Sequence, residues 1–153
     1  MRPAALLALA SVFAVSACGG PAPPPFTPVT DNKLLMQAVV DPNAYVVWDA
    51  VKEIATKDGD QHVEPQTDAE WIAVRNAAVV VAESGNLLMM SPRAKDGGEW
   101  MQRAQEMITA GEQAMRAAEA KNAEKLFTVG GDLYDSCSNC HRKYLDAIVN
   151  ANK

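Results

Sequence analysis

Three times between Thr67 and the C-terminus, apolar residues recur at the three-to-four-residue spacing of one helical face. Trp71, Val74, Ala78, Val81 and Leu88 form the first stripe, opened by the capping box Thr67-Asp68-Ala69-Glu70. After the breaking stretch "SPRAKDGG", Trp100, Ala104, Ile108, Gly111, Met115 and Ala118 form the second. After a short turn at Lys121-Asn122, Leu126, Leu133, Cys137, His141, Tyr144 and Ile148 form the third. An earlier segment starts near Asp31, with Leu34, Leu35 and Ala38 on one side. It is interrupted at Asp41-Pro42, where Asp41 suits an N-cap and Pro42 the first position of a continuation. Tyr45, Trp48, Val51, Ile54 and Ala55 carry that stripe onward, and the polar "KDGDQHVEPQ" reads as a loop. No run alternates with the period of two that a strand needs; "YVVW" and "VVVA" both sit inside longer helical patterns. The expectation is an all-α chain, an antiparallel four-helix bundle with helices over 31–56 (broken around Pro42), 67–90, 97–120 and 123–149. Gly130-Gly131 weakens the last helix by about 1 kcal/mol per glycine. Either that helix begins at Asp132, or the glycines let a neighbour pack closely.

The 153 residues suit one domain, and 48% apolar residues suffice for a core. Aromatics make up only 6%, so that core is built from Ala, Val, Leu and Met. The net charge of −5 argues against nucleic acid or an anionic membrane surface, which both need a basic face. A protein with a basic docking surface is the natural complement. Residues 1–17 read as a signal peptide: Met1-Arg2, then the apolar "PAALLALASVFAVSA", too short to span a bilayer with comfort. Val15-Ser16-Ala17-Cys18 is similar to a bacterial lipobox, which implies cleavage before Cys18 and lipid on its sulfur. Residues 18–30 then form a Pro-rich tether, able to hold the domain, residues 31–153, about 35 Å from a membrane in the periplasm. Membrane contact is expected only through that anchor. Cleavage removes Arg2 and leaves 13 basic residues against 19 acidic ones, a net charge of −6.

With Cys18 lipidated, Cys137 and Cys140 remain, in Cys137-Ser138-Asn139-Cys140-His141. On a helix these positions fall at 0°, about 300° for Cys140 and about 40° for His141, so the three side chains share one face. Cys-x-x-Cys-His reads as a c-type haem attachment signal: two thiols for thioether links to the vinyl groups and an imidazole for the iron. A thioredoxin-like redox pair needs a helix N-terminus in a βαβ setting. A zinc site needs a fourth ligand, and His62 is the only other histidine. A structural disulfide leaves the adjacent His141 unexplained. No paired carboxylates, nucleophile–base set or phosphate loop stands out, so the reading is of a haem c carrier and not an enzyme.

With "CSNCHRKY" so near the C-terminus, the chain over about residues 31–150 resembles the class II c-type cytochromes, the family of cytochrome c prime and cytochrome c-556. The resemblance implies a four-helix bundle with one covalent haem c on the last helix, held by Cys137, Cys140 and His141. It also implies that the first helix supplies the group facing the iron's other side. Met36 in "NKLLMQAVV" is the counterpart, as a sixth ligand in low-spin members. The family often has a basic residue after the aromatic that Tyr144 matches. Leu145 stands there, so Arg142 or Lys143 would supply charge near the propionates. The implied function is single-electron transfer with redox partner proteins at the cell envelope. The alternative is a five-coordinate haem binding NO or CO. The family also allows a homodimer. Met89, Met90, Met101, Met107 and Met115 read as packing or surface, Trp48, Trp71 and Trp100 as core, and His62 as a solvated histidine.

Overall fold

The computed structural model describes residues 26–151, with side chains as far as residue 145. The expected signal peptide, Cys18, the first part of the tether and the side chain of Ile148 lie outside the described residues. Asp31 opens the fold: its carboxylate accepts from the Leu34 N–H at 2.8 Å and caps α1 (Asn32–Leu35). The chain runs on without a break through a π-helical stretch (Met36–Val40) into α2 (Asp41–Ala50). Pro42 has no N–H to return to the preceding turn, and the Asp41 N–H reaches back to the Met36 carbonyl. The proline is thus absorbed by a widened turn. Asp41, expected as an N-cap, instead lies inside the helical rod (φ −54°, ψ −53°).

That wider turn also corrects the expected face. A π turn carries residues five apart onto the same side, so Leu35 and Val40 are both buried, followed by Ala44, Val47 and Val51. Leu34 and Tyr45, on the expected stripe, are 49% and 59% exposed. Ala38 is exposed as well, and Trp48 is half-buried.

The helix ends at Ala50 and not near residue 56. Val51 turns extended (φ −133°, ψ 121°), and Lys52–Thr56 (β1) pairs antiparallel with Gly59–Val63 (β2), Thr56 opposite Gly59. The expected stripe residues Ile54 and Ala55 lie in this hairpin, and the expected loop supplies its second strand. Both faces of β1 are largely open to water, so no alternation of apolar and polar residues is needed and none is present. The turn at Lys57-Asp58 closes on Gly59 at φ +120°, a conformation L side chains rarely adopt. Thr56 Oγ1 holds it, donating to the Gly59 carbonyl at 2.6 Å and accepting from the Asp58 N–H at 3.2 Å.

In α3 and α4 the buried residues follow the apolar pattern closely, whereas on the last helix Leu126 and Leu133 are buried, Cys137 and Tyr144 half-buried and His141 exposed. In α3 (Asp68–Met89) the capping box is complete: the Glu70 N–H donates to Thr67 Oγ1 at 3.2 Å, and the Thr67 N–H to Glu70 Oε2 at 2.8 Å. α4 spans Glu99–Glu119 and α5 spans Ala123–Ala151, passing through Gly130-Gly131 without a break. A neighbour does pack there: Trp48 Nε1–H donates to the Gly130 carbonyl at 3.0 Å. The chain is therefore predominantly helical with a small two-stranded sheet. α4 lies between α3 and α5, and α2 packs against both α3 and α5. Leu126, Val129 and Leu133 of α5 are sealed in the core with Val47 and Val81.

Glycines decide how closely α3 and α4 approach. A Cβ on Gly111 would lie 2.8 Å from the Ala82 backbone nitrogen, and one on Gly85 would lie 2.9 Å from the Ala104 carbonyl oxygen. Backbone cannot yield as a side chain does, so Gly111→Val must push the helices apart, at a cost of about 2–3 kcal/mol. Thermal unfolding should show a midpoint lowered by on the order of 10 °C. Gly97→Ala, with nothing within 4 Å of the added carbon, should leave it unmoved. Equal midpoints for the two variants would refute this account of the contact.

Candidate haem site

The α5 helix has run 14 residues from Ala123 before it reaches Cys137, so the cysteine pair sits in the helix interior, far from the dipole-rich N-terminus. Cys137, Cys140 and His141 line one cavity of about 270 Å³, near the lower edge of the usual ~300–1,000 Å³ for ligand pockets. Its walls come from every side of the fold. The π stretch and α2 bring Met36, Val40, Ala44, Tyr45 and Trp48. The end of α3 brings Leu88, and α4 brings Trp100, Arg103, Ala104 and Met107. The space arises where the helices face each other with alanine, Ala44 on α2 and Ala104 on α4, both buried. Trp48 also stacks edge-on between Tyr45 and Tyr134, with ring centroids 5.4 and 6.1 Å away.

Both thiols are free and half-buried, and burial pushes both above the ordinary thiol range. That is opposite to a thioredoxin-like pair, whose attacking cysteine is held as thiolate by a helix N-terminus or a cation. Among the described residues, no three His, Cys, Asp or Glu side chains converge as a bare metal ion requires. A porphyrin asks less of the chain: two thiols, one or two axial donors and apolar walls. The residues present fit it.

Arg103 is the cation at this cavity, in place of the expected Arg142 or Lys143. Arg142 donates to Asn139 Oδ1 at 2.9 Å and Lys143 pairs with Glu99; neither lines the cavity. Arg103 Nη1 donates to both Glu106 oxygens at 2.9 and 2.8 Å, and Nη2 to Glu99 at 3.3 Å. Its Nε is sealed from solvent and has no acceptor. The sequence carries no signal for this role, since Arg103 has the same spacing to Glu99 and Glu106 as any solvated helix pair.

One turn beyond His141, α5 is clamped to the start of α4. The Tyr144 hydroxyl donates to Asp96 Oδ2 at 2.5 Å, while Asp96 Oδ1 accepts the Gly98 and Trp100 N–H groups at 2.9 and 3.1 Å. The Tyr144 ring meets Trp100 edge-on at 4.9 Å, and Trp100 Nε1–H donates to the Leu88 carbonyl at 2.8 Å. Desolvation and the Asp96 carboxylate push the Tyr144 phenol up to about 12, and the donors around Asp96 hold its carboxyl below the usual range. The clamp is therefore intact at neutral pH. Trp100 is buried as expected, and it also forms part of the cavity wall.

Met36 shares the cavity with His141, whereas Met89 and Met90 do not. His62 lies on the hairpin, exposed, with Nδ1 2.5 Å from Glu53 Oε1 and Nε2 3.3 Å from Glu64 Oε2. The hydrogen bonds from those two carboxylates raise it above the usual imidazole range. It stands beside Ala123 and Glu124 at the far end of α5 from the cavity. No family model, curated protein or solved structure matches the chain.

Proposed function

We propose that this protein is a c-type cytochrome of the class II kind, a four-helix bundle carrying single electrons at the bacterial cell envelope. The observation that carries the reading is the convergence of Cys137, Cys140, His141 and Met36 on one cavity. Haem c, when bound, supplies a one-electron iron couple. Cys137 and Cys140 offer two thiols one helical turn apart for its vinyl groups, and their neutral state suits addition to a carbon–carbon double bond. His141 would offer an imidazole nitrogen to the iron, and Met36 a thioether sulfur. Trp48, Leu88, Trp100 and Ala104 give the cavity its apolar walls. The bundle in this reading takes α1, the π stretch and α2 as its first helix and α3, α4 and α5 as the other three.

The sequence-level signals extend the proposal to the periplasm. Lipidated Cys18 would anchor the domain through the tether, and the acidic surface would meet a redox partner bearing a basic patch. A lipid mass on an N-terminal peptide starting at Cys18 checks the anchor; a soluble chain starting later would exclude it. The functional test is chemical. Protein matured in a haem-loading periplasm and extracted with acid–acetone should keep its haem on the polypeptide and give a c-type reduced spectrum. Haem that extracts freely would end the proposal.

A further inference from the structure

Among the described residues, three buried side-chain atoms lack a hydrogen-bond partner: Asn32 Oδ1, Arg93 Nε and Arg103 Nε. The first two belong to one junction, where Asn32 Nδ2 donates to the Arg93 carbonyl at 2.9 Å. They are an acceptor and a donor, and neither residue lines the cavity. Arg103 is different. Its orphan is a donor, no orphaned acceptor exists in its neighbourhood, and it stands in the wall of the cavity. A buried donor without an acceptor is costly, and native chains retain one where a ligand completes it.

We infer that Arg103 is the anchor for a carboxylate on the molecule that fills the cavity, which it receives at Nε. The geometry favours a carboxylate over a neutral acceptor. Glu106 takes Nη1 and Glu99 takes Nη2, and these contacts fix the guanidinium plane from outside the cavity. The plane is thereby held ready, and the Nε–H, alone on its nitrogen, is a charged donor of fixed direction. The two glutamates also balance the charge of this partly exposed arginine before a ligand arrives. The inference rests on the functional reading above, under which the carboxylate is a haem propionate.

The test separates the two. The full-length chain purified without attached haem is titrated with haem and with haem dimethyl ester, whose carboxylates are masked. Wild type should favour the free acid by on the order of tenfold to a hundredfold, the range of a hydrogen bond to a charged group. Arg103→Met should bind both porphyrins alike, and Arg103→Lys should recover part of the preference as a point charge without the fixed Nε–H. Arg116→Met, which removes an exposed arginine paired with Glu112 away from the cavity, should keep the full preference. Should Arg103→Met fail to fold, wild type and the lysine variant decide. A wild type that binds haem without discriminating, or an Arg103→Met that still discriminates, overturns the anchor and leaves the functional reading standing. A wild type that binds neither porphyrin overturns both.

Discussion

Replacing Cys137 and Cys140 together with alanine should reduce covalently bound haem to the background of the acid–acetone assay, the largest effect expected of any substitution in this chain. The two thiols stand one turn apart on α5 and line a single cavity with His141. Burial raises both thiols, and neither has the helix N-terminus that holds a thioredoxin-like cysteine as thiolate. Each single variant should retain one link and so survive extraction in part. The fold itself should persist in all three variants. The sealed residues Leu126, Val129 and Leu133 hold α5 without contributing to the cavity wall, and α3 and α4 pack through Gly85 and Gly111 regardless of the cysteines. Far-ultraviolet circular dichroism unchanged from wild type, with the haem lost, is the expected pair of readings. Covalent haem persisting in the double variant would mean that another residue attaches it.

The second large effect is expected at Met36. Its thioether shares the cavity with His141, on the turn that Pro42 widens. The widened turn answers the question that the proline raises in the sequence. A sharp kink would swing Met36 away from α5, whereas the π stretch keeps the rod continuous with Met36 at its first position. A thioether donor favours the reduced iron and preserves the coordination number between oxidation states, which suits electron transfer. Met36→Leu, with similar volume and no donor, should turn a low-spin oxidised spectrum into a high-spin one. It should also lower the reduction potential and admit CO. A wild type that is already high-spin and takes CO readily would give the gas-binding alternative the better claim.

The parts of this fold legible in the sequence are those where local chemistry and tertiary packing agree. The capping box at Thr67–Glu70 closes as read, because both partners lie within four residues of each other. The stripes on α3 and α4 are buried as read, with only Met115 half-buried, since an unbroken α-helix keeps its spacing over many turns. Errors cluster where the spacing itself changes. The π turn shifts the buried face of the first helix, and no residue type announces it beyond a proline that also fits a helix start. The hairpin is invisible to periodicity because water covers both its faces. Its best signal was Asp58-Gly59, where the two-residue turn Lys57-Asp58 hands over to the first residue of β2.

By itself, the sequence determined that Cys137, Cys140 and His141 share a helical face, since helix geometry alone relates positions three and four apart. It likewise determined the helical character of residues beyond Thr67 and the acidic balance of the whole. Only the tertiary structure decided what that face looks onto. Ala44 and Ala104 open a cavity because α2 and α4 face each other across it, although the two alanines lie sixty residues apart in the chain. Tyr144 locks to Asp96, and Arg103 joins the cavity wall in place of the cations beside the motif. Such contacts depend on how helices cross, and a crossing is fixed by the sum of many side-chain packings that no single segment encodes.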